Sequence, residues 1–246
     1  MGATVFKTSS ELIKKSDVII LMLTDYDAIR SVLFDENDSQ YENKTIIQMS
    51  TIAPEESKEI ELKVNKLRGE YFEAPVLGSI NQILNKELIT LFGAKKEQYD
   101  KWKPLFENFG ENVIHIGNVG DASAMKLALN QLIVSQTVAF SMSLGYLREK
   151  QLDVNLFMKI LRNSALYAPT FDKKLENMME RNFNNPNFPV KHLLKDLDLI
   201  LGEFGQENIN TNSLKGIRKI FIDSIELGNA EMDYSAIYDS IHIINK

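Results

Sequence analysis

The chain has 246 residues, 44% apolar and 25% charged, with a net charge of −6 spread along its length. That is enough chain for one large soluble domain or two smaller ones, and it lacks the basic patch a nucleic-acid partner requires. The absence of cysteine excludes disulfides, thiol nucleophiles and cysteine-built zinc sites. The three histidines (His115, His192, His242) are far apart, so no metal site is expected. The N-terminus shows no basic-then-apolar leader pattern, so the expected location is cytoplasmic.

Ala3 to Phe6 is a short β-like run. Thr8-Ser-Ser-Glu11 matches a capping box and predicts a short helix to Lys15. Asp17 to Leu23 is continuously apolar after the aspartate, the pattern of a parallel strand buried on both faces. A helix is expected near 27–33, and a second buried strand over Thr45 to Met49. Pro54 fits the first position of a helix reaching Leu67. Further strands are predicted over Tyr71–Val76, Leu88–Phe92 and Asn112–Ile116, with a helix over 95–109. Strands alternating with helices of this length predict a mostly parallel α/β sheet, on which ligands bind beyond the carboxyl ends of the strands. Three such ends carry small polar residues: Leu23-Thr24, Ser50-Thr51 and Leu77-Gly78-Ser79. Each alone reads first as a plain strand-to-helix turn, though Gly78-Ser79 could offer backbone N–H groups to a carboxylate.

After Ile116 only helical periodicity follows. The predicted helices cover 153–162, 170–181, 192–204, 213–227 and 233–243, so an all-α region is expected over 118–246, after an α/β region over 1–117. The segment Gly120–Leu147 carries no charge between Lys126 and Arg148. A membrane span, a buried central helix and an oligomer-interface helix all fit its length. Asn130, Gln131, Gln136, Thr137 and Ser141 argue against the span. Asn130 stands four residues after Lys126, on the same helix face. A lysine near a helix N-terminus opposes the macrodipole, so its placement asks for a reason. Lys195-Asp196, inside an apolar helix, is a second charge pair of that kind.

Four segments, in order, resemble motifs of the β-hydroxyacid dehydrogenases, the group that includes 3-hydroxyisobutyrate dehydrogenase, tartronate semialdehyde reductase and the succinic semialdehyde/glyoxylate reductases. Gln48-Met-Ser-Thr-Ile52 is similar to the family's Asp-x-Ser-Thr-Ile. Glu73-Ala-Pro-Val-Leu-Gly-Ser79 resembles its substrate loop. Gly117-Asn-Val-Gly120 followed by Lys126-Leu-Ala-Leu-Asn130 resembles its catalytic helix, and Leu194-Lys-Asp-Leu197 its C-terminal Lys-Asp-Leu motif. The resemblance implies a truncated Rossmann-type sheet, a long central helix and an all-helical C-terminal domain. It implies NAD or NADP as cofactor and a small hydroxy acid or semialdehyde as substrate. It also implies a homodimer or homotetramer, with neither nucleic acid nor membrane as partner. Lys126 would be the general acid/base, with Asn130 beside it binding substrate or orienting the lysine. Gly78, Ser79 and Thr51 would hold the substrate. Leu23, Thr24, Thr51 and Lys195 would contact the cofactor.

Several positions depart from the family pattern. Leu77 stands in place of a serine and Ser79 in place of a glycine, while Glu73 leans toward the semialdehyde/glyoxylate reductases. No Gly-x-Gly-x-x-Gly occurs in the 246 residues. The expectation is therefore a fragment or a displaced start that binds dinucleotide poorly or not at all. The alternative to an enzyme is a non-catalytic helical dimerisation module.

Overall fold

The structure is a computed structural model and describes residues 2–35 and 41–243. The chain divides into two compact units, Met1–Ala128 and Leu129–Lys246, with one helix running from the first into the second.

The first unit is built on a six-stranded sheet in the order β1-β2-β3-β5-β4, with β6 also paired to β5. Its elements are α1 (Ser9–Lys15), β1 (Val18–Leu21), α2 (Tyr26–Phe34), β2 (Thr45–Gln48) and α3 (Pro54–Lys66). They continue as β3 (Glu70–Glu73), β4 (Val76–Leu77), α4 (Ile80–Leu84), β5 (Ile89–Gly93), α5 (Lys96–Phe106) and β6 (Asn112–Gly117). The β1–β2, β2–β3 and β5–β6 pairings are parallel, while β5 runs antiparallel to β3 and β4. The expected mostly parallel sheet is present.

Local chemistry accounts for most boundaries. Thr8 caps α1 by accepting the Glu11 N–H at 3.2 Å. The Glu11 carboxylate reaches past Thr8 to the Lys7 N–H, at 3.4 Å. Asp25 caps α2 through the Ala28 N–H at 2.9 Å. Pro54 opens α3, where a missing N–H costs nothing. Successive side chains of β2 then feed opposite faces of the sheet. Ile46 joins Ile19, Ile29, Ile60 and Tyr71 in one apolar cluster, and Ile47 joins Phe72, Phe92 and Phe106 in another.

Three expectations are corrected. Ala3 to Phe6 belongs to no strand. The β1 segment is covered on one face only: Ile19 and Leu21 are buried, but Ile20 and Met22 are 45% and 59% exposed. The second apolar cluster reaches no further along that face than Val18. The single strand expected over Tyr71–Val76 breaks at Ala74-Pro75, because proline has no N–H for the ladder. Beyond the break β4 pairs with β5 instead, and the Leu91 N–H donates to the Pro75 carbonyl at 2.9 Å. α4 fills a stretch for which the sequence predicts no element, its start closed by Ser79 and Gln82.

α6 (Asp121–Glu149) carries the chain into the second unit. By length and composition alone it could cross a membrane, but its Asn130, Thr137 and Ser141 are buried within the fold. The second unit continues with α7 (Val154–Arg162), α8 (Pro169–Glu180), α9 (Val190–Gln206) and α10 (Asn212–Glu226). The last predicted helix is a 3-10 turn over Tyr234–Ile237 followed by α11 (Tyr238–Ile241). A buried ion pair ties α8 to that turn. Lys174 Nζ donates to both carboxylate oxygens of Asp233 at 2.8 Å, and Asp233 also accepts from the Ser235 N–H and hydroxyl.

Candidate active site

The carboxyl ends of β1 and β2 lie side by side because the two strands are parallel neighbours. The Leu23 N–H donates to Ser50 Oγ at 2.7 Å and joins the two ends. Leu23 and Thr51 are half-buried there, and Thr24 is exposed. Leu23, Thr24, Ser50 and Thr51 are uncharged, offering hydroxyls, backbone groups and one apolar surface. That set fits the carboxamide-bearing ring and ribose of a nicotinamide.

At the end of β4, Gly78 adopts φ +137°, a conformation that suits glycine, and its backbone is exposed. Ser79 is engaged locally. Its N–H and its hydroxyl both donate to Gln82 Oε1, at 3.0 and 2.6 Å. Leu77, in place of a hydroxyl-bearing residue, is half-buried.

The start of α6 is built around Glu73. Positions Leu21, Gln48, Glu73 and Gly93 are register partners across four strands, so Glu73 stands at the end of one row of the sheet. Its Oε1 accepts the N–H groups of Gly120, Ala122 and Ser123 at 2.8, 2.9 and 3.0 Å. Its Oε2 accepts the hydroxyls of Ser123, at 2.6 Å, and Ser57. Burial pushes the Glu73 carboxyl above its ordinary value, and the bonds from Ser123, Ser57 and Gly120 pull against that rise. Gly93 makes the room: a Cβ there would overlap the carboxylate and come within 2.6 Å of Glu73 Cγ.

Lys126 follows three residues after Ser123 on this helix and is only 9% exposed. One turn on, Asn130 is fully buried. Its Nδ2 donates to Asp196 Oδ2 at 2.7 Å, and its Oδ1 is buried with no hydrogen-bond partner among the described residues. The Asp196 carboxylate accepts from Lys195 through its other oxygen, also at 2.7 Å. Lys195, Asp196 and Asn130 thus form one chain of contacts in the second unit. A buried unpaired carbonyl oxygen is costly, about 1–3 kcal/mol, unless a donor arrives.

The sequence reading named Lys126, Asn130 and Lys195 but gave no role to Asp196, Glu73, Ser57 or Ser123. Asp196 was detectable as half of an odd charge pair. Glu73 was detectable as a carboxylate at the end of an otherwise apolar strand. Ser57 and Ser123 carry no such signal, since serine suits any helix surface.

Comparison with known proteins gives the family and the fold. Residues 1–117 match the family described as the NAD binding domain of 6-phosphogluconate dehydrogenase. Residues 120–241 match that described as the NAD-binding region of NADP-dependent 3-hydroxyisobutyrate dehydrogenase. The chain is 29% identical to 2-hydroxy-3-oxopropionate reductase of Escherichia coli K12, over 99% of this chain and 84% of that protein. It is 31% identical to glyoxylate/succinic semialdehyde reductase 1 of Arabidopsis thaliana, over 98% of this chain and 84% of that protein. The fold matches the crystal structure of a 3-hydroxyisobutyrate dehydrogenase from Salmonella typhimurium with a TM-score of 0.84 at 18% identity, covering 94% of this chain and 82% of that one. The matched length, the four motifs in order and the shared fold place this chain in the β-hydroxyacid dehydrogenase family of NAD(P)-dependent oxidoreductases.

Proposed function

We propose that the chain interconverts a small hydroxy acid and the corresponding aldehyde or keto acid, with Lys126 as the proton-transfer group. When bound, the nicotinamide dinucleotide supplies or accepts the hydride at the carbinol carbon. Lys126 Nζ takes the hydroxyl proton during oxidation and returns it to the carbonyl oxygen during reduction. Asn130 Oδ1 accepts a hydrogen bond from the substrate hydroxyl or from the lysine ammonium. The observation that carries the reading is the Asn130 amide, turned by Asp196 so that a buried carbonyl oxygen is left to receive a donor.

The remaining roles follow the family pattern. Gly78 and Ser79 face the substrate carboxylate, with Ser79 giving up its contact with Gln82 as the substrate binds. Leu23, Thr24 and Thr51 contact the nicotinamide half of NAD or NADP, and Lys195 contacts the cofactor. The relatives' names favour glyoxylate, succinic semialdehyde and tartronate semialdehyde as the first substrates to try. Leu77, which cannot donate a hydrogen bond, favours a substrate with an apolar group at that point. We also infer self-association through the exposed apolar side chains of the second unit, among them Leu132 and Met142 on α6 and Leu156 and Ile160 on α7. Sedimentation equilibrium of wild type and Ile160→Lys tests this; a monomeric wild type refutes it. The experiment for the central reading is turnover of these substrates by wild type and by Lys126→Ala, with dinucleotide affinity measured separately.

A further inference from the structure

We propose that Glu73 is the positioning residue for Lys126: its carboxylate fixes the first turn of α6 and supplies the negative charge against which the Lys126 ammonium is held. The inference rests on the reading of Lys126 as the proton-transfer group and adds how that group is placed and tuned.

A helix leaves its first N–H groups without partners, and one short polar side chain at the N-cap ordinarily satisfies one of them. Here a single carboxylate oxygen from the sheet collects three, from Gly120, Ala122 and Ser123. The other oxygen collects hydroxyls from α3 and α6. Two glycines serve the arrangement. Gly93 leaves space for the carboxylate, and Gly120 turns its N–H toward it at φ +100°. Bringing a fully buried carboxylate to this point is costly, and a neutral cap would close the helix as well. A charge, however, does what a neutral cap cannot. The helix N-terminus carries partial positive charge and disfavours an ammonium one turn along it; a carboxylate at the same point reverses the sign. Lys126 lies three residues beyond Ser123, on the neighbouring turn of the same side.

Other charged and titratable groups stand at this end. Glu73 acts through space on Glu61 of α3 and on Tyr71 of β3, and Lys95 acts on Glu61. Lys58 on α3 lies against Gly120 and is bridged to Glu55 at 2.6 Å. Asp121 on α6 accepts the Asn118 N–H at 2.8 Å. All of these persist in a Glu73→Gln variant, which removes the charge while keeping the shape.

The test uses the full chain without dinucleotide. Lysines are reductively methylated with 13C-formaldehyde, and the Lys126 signal is assigned by its loss in Lys126→Arg. Its titration is then followed by NMR. Glu73→Gln should lower the Lys126 midpoint by on the order of one pH unit, the size of effect that a single nearby charge has at an effective dielectric of about 20. Glu73→Asp, which restores the charge, should bring the midpoint back toward wild type. An unmoved midpoint in a folded Glu73→Gln protein overturns the proposal. Should that variant not fold, Ser123→Ala carries the test by loosening the carboxylate. A moved midpoint with faster amide exchange at Gly120 and Ala122 then supports the proposal, and no movement overturns it. The readout needs no turnover, so it separates from the catalytic reading. An active Lys126→Ala protein sinks the latter alone, and an unmoved midpoint beside an inactive Lys126→Ala protein sinks the positioning role alone.

Discussion

Asp196 holds the amide of Asn130 by one hydrogen bond, Nδ2 to Oδ2 at 2.7 Å, across 66 residues of sequence. That bond decides which way the amide faces. An amide can turn over, but a carboxylate accepts and does not donate, so Nδ2 is held toward Asp196 and Oδ1 faces away. The catalytic reading depends on that orientation.

Asp196→Ala should therefore lower kcat/KM with little change in fold. A hydrogen bond to a charged acceptor contributes about 1.5–3 kcal/mol, which corresponds to a roughly 10- to 150-fold loss. Asp196→Asn should lose less, since its amide oxygen still accepts from Asn130. Steady-state kinetics on both variants check the order; equal rates for Asp196→Ala and wild type would remove Asn130 orientation from the account.

The Lys174–Asp233 pair makes a separate prediction about stability. Both side chains are buried, at 9% and 2% exposure, so removing one partner leaves an uncompensated charge. Asp233→Ala should cost about 3–5 kcal/mol, and the double variant Lys174→Met/Asp233→Ala should recover much of that. The single tryptophan, Trp102, lies on α5 in the first unit. Its fluorescence in urea should therefore shift less in Asp233→Ala than the helical circular dichroism, to which the second unit contributes most. Identical shifts by the two probes would contradict this assignment.

Glu73 also predicts a pH dependence of stability. Its pKa in the folded chain is raised above the ordinary 4.5, chiefly by burial. The folded state then holds a proton that the unfolded state has released. The resulting stabilisation is fully present below the unfolded pKa and is lost as pH rises through the folded one. The stability of wild type minus that of Glu73→Gln should accordingly fall as pH rises from about 4 upward. Urea titrations followed by Trp102 fluorescence give the comparison, and a difference that rises with pH over this range would reverse the sign argued here.

Short-range chemistry explains what the sequence could reveal. Thr8, Asp25 and Pro54 act on residues within a turn, so their helix starts were legible. The apolar run at 18–21 and the Ile-Ile pair within 45–48 likewise announced parallel strands. The exposure of Ile20 and Met22 was not legible, because it depends on what the rest of the fold lays over β1. Nor was the break at Pro75, where one proline redirects β4 to a new partner. The site divides the same way. Lys126 and Asn130 were visible from helical spacing and a charge out of place, whereas the contacts that place them reach across 50 and 66 residues.

The most direct test of the central claim is Lys126→Arg at saturating NADH or NADPH, with glyoxylate, succinic semialdehyde or tartronate semialdehyde as substrate. Arginine keeps the positive charge but does not release a proton near neutral pH. Proton transfer by Lys126 predicts a fall in kcat of about 10²–10⁴ with dinucleotide affinity unchanged. Wild-type turnover by Lys126→Arg, or no turnover of any of the three by wild type with dinucleotide bound, would contradict it.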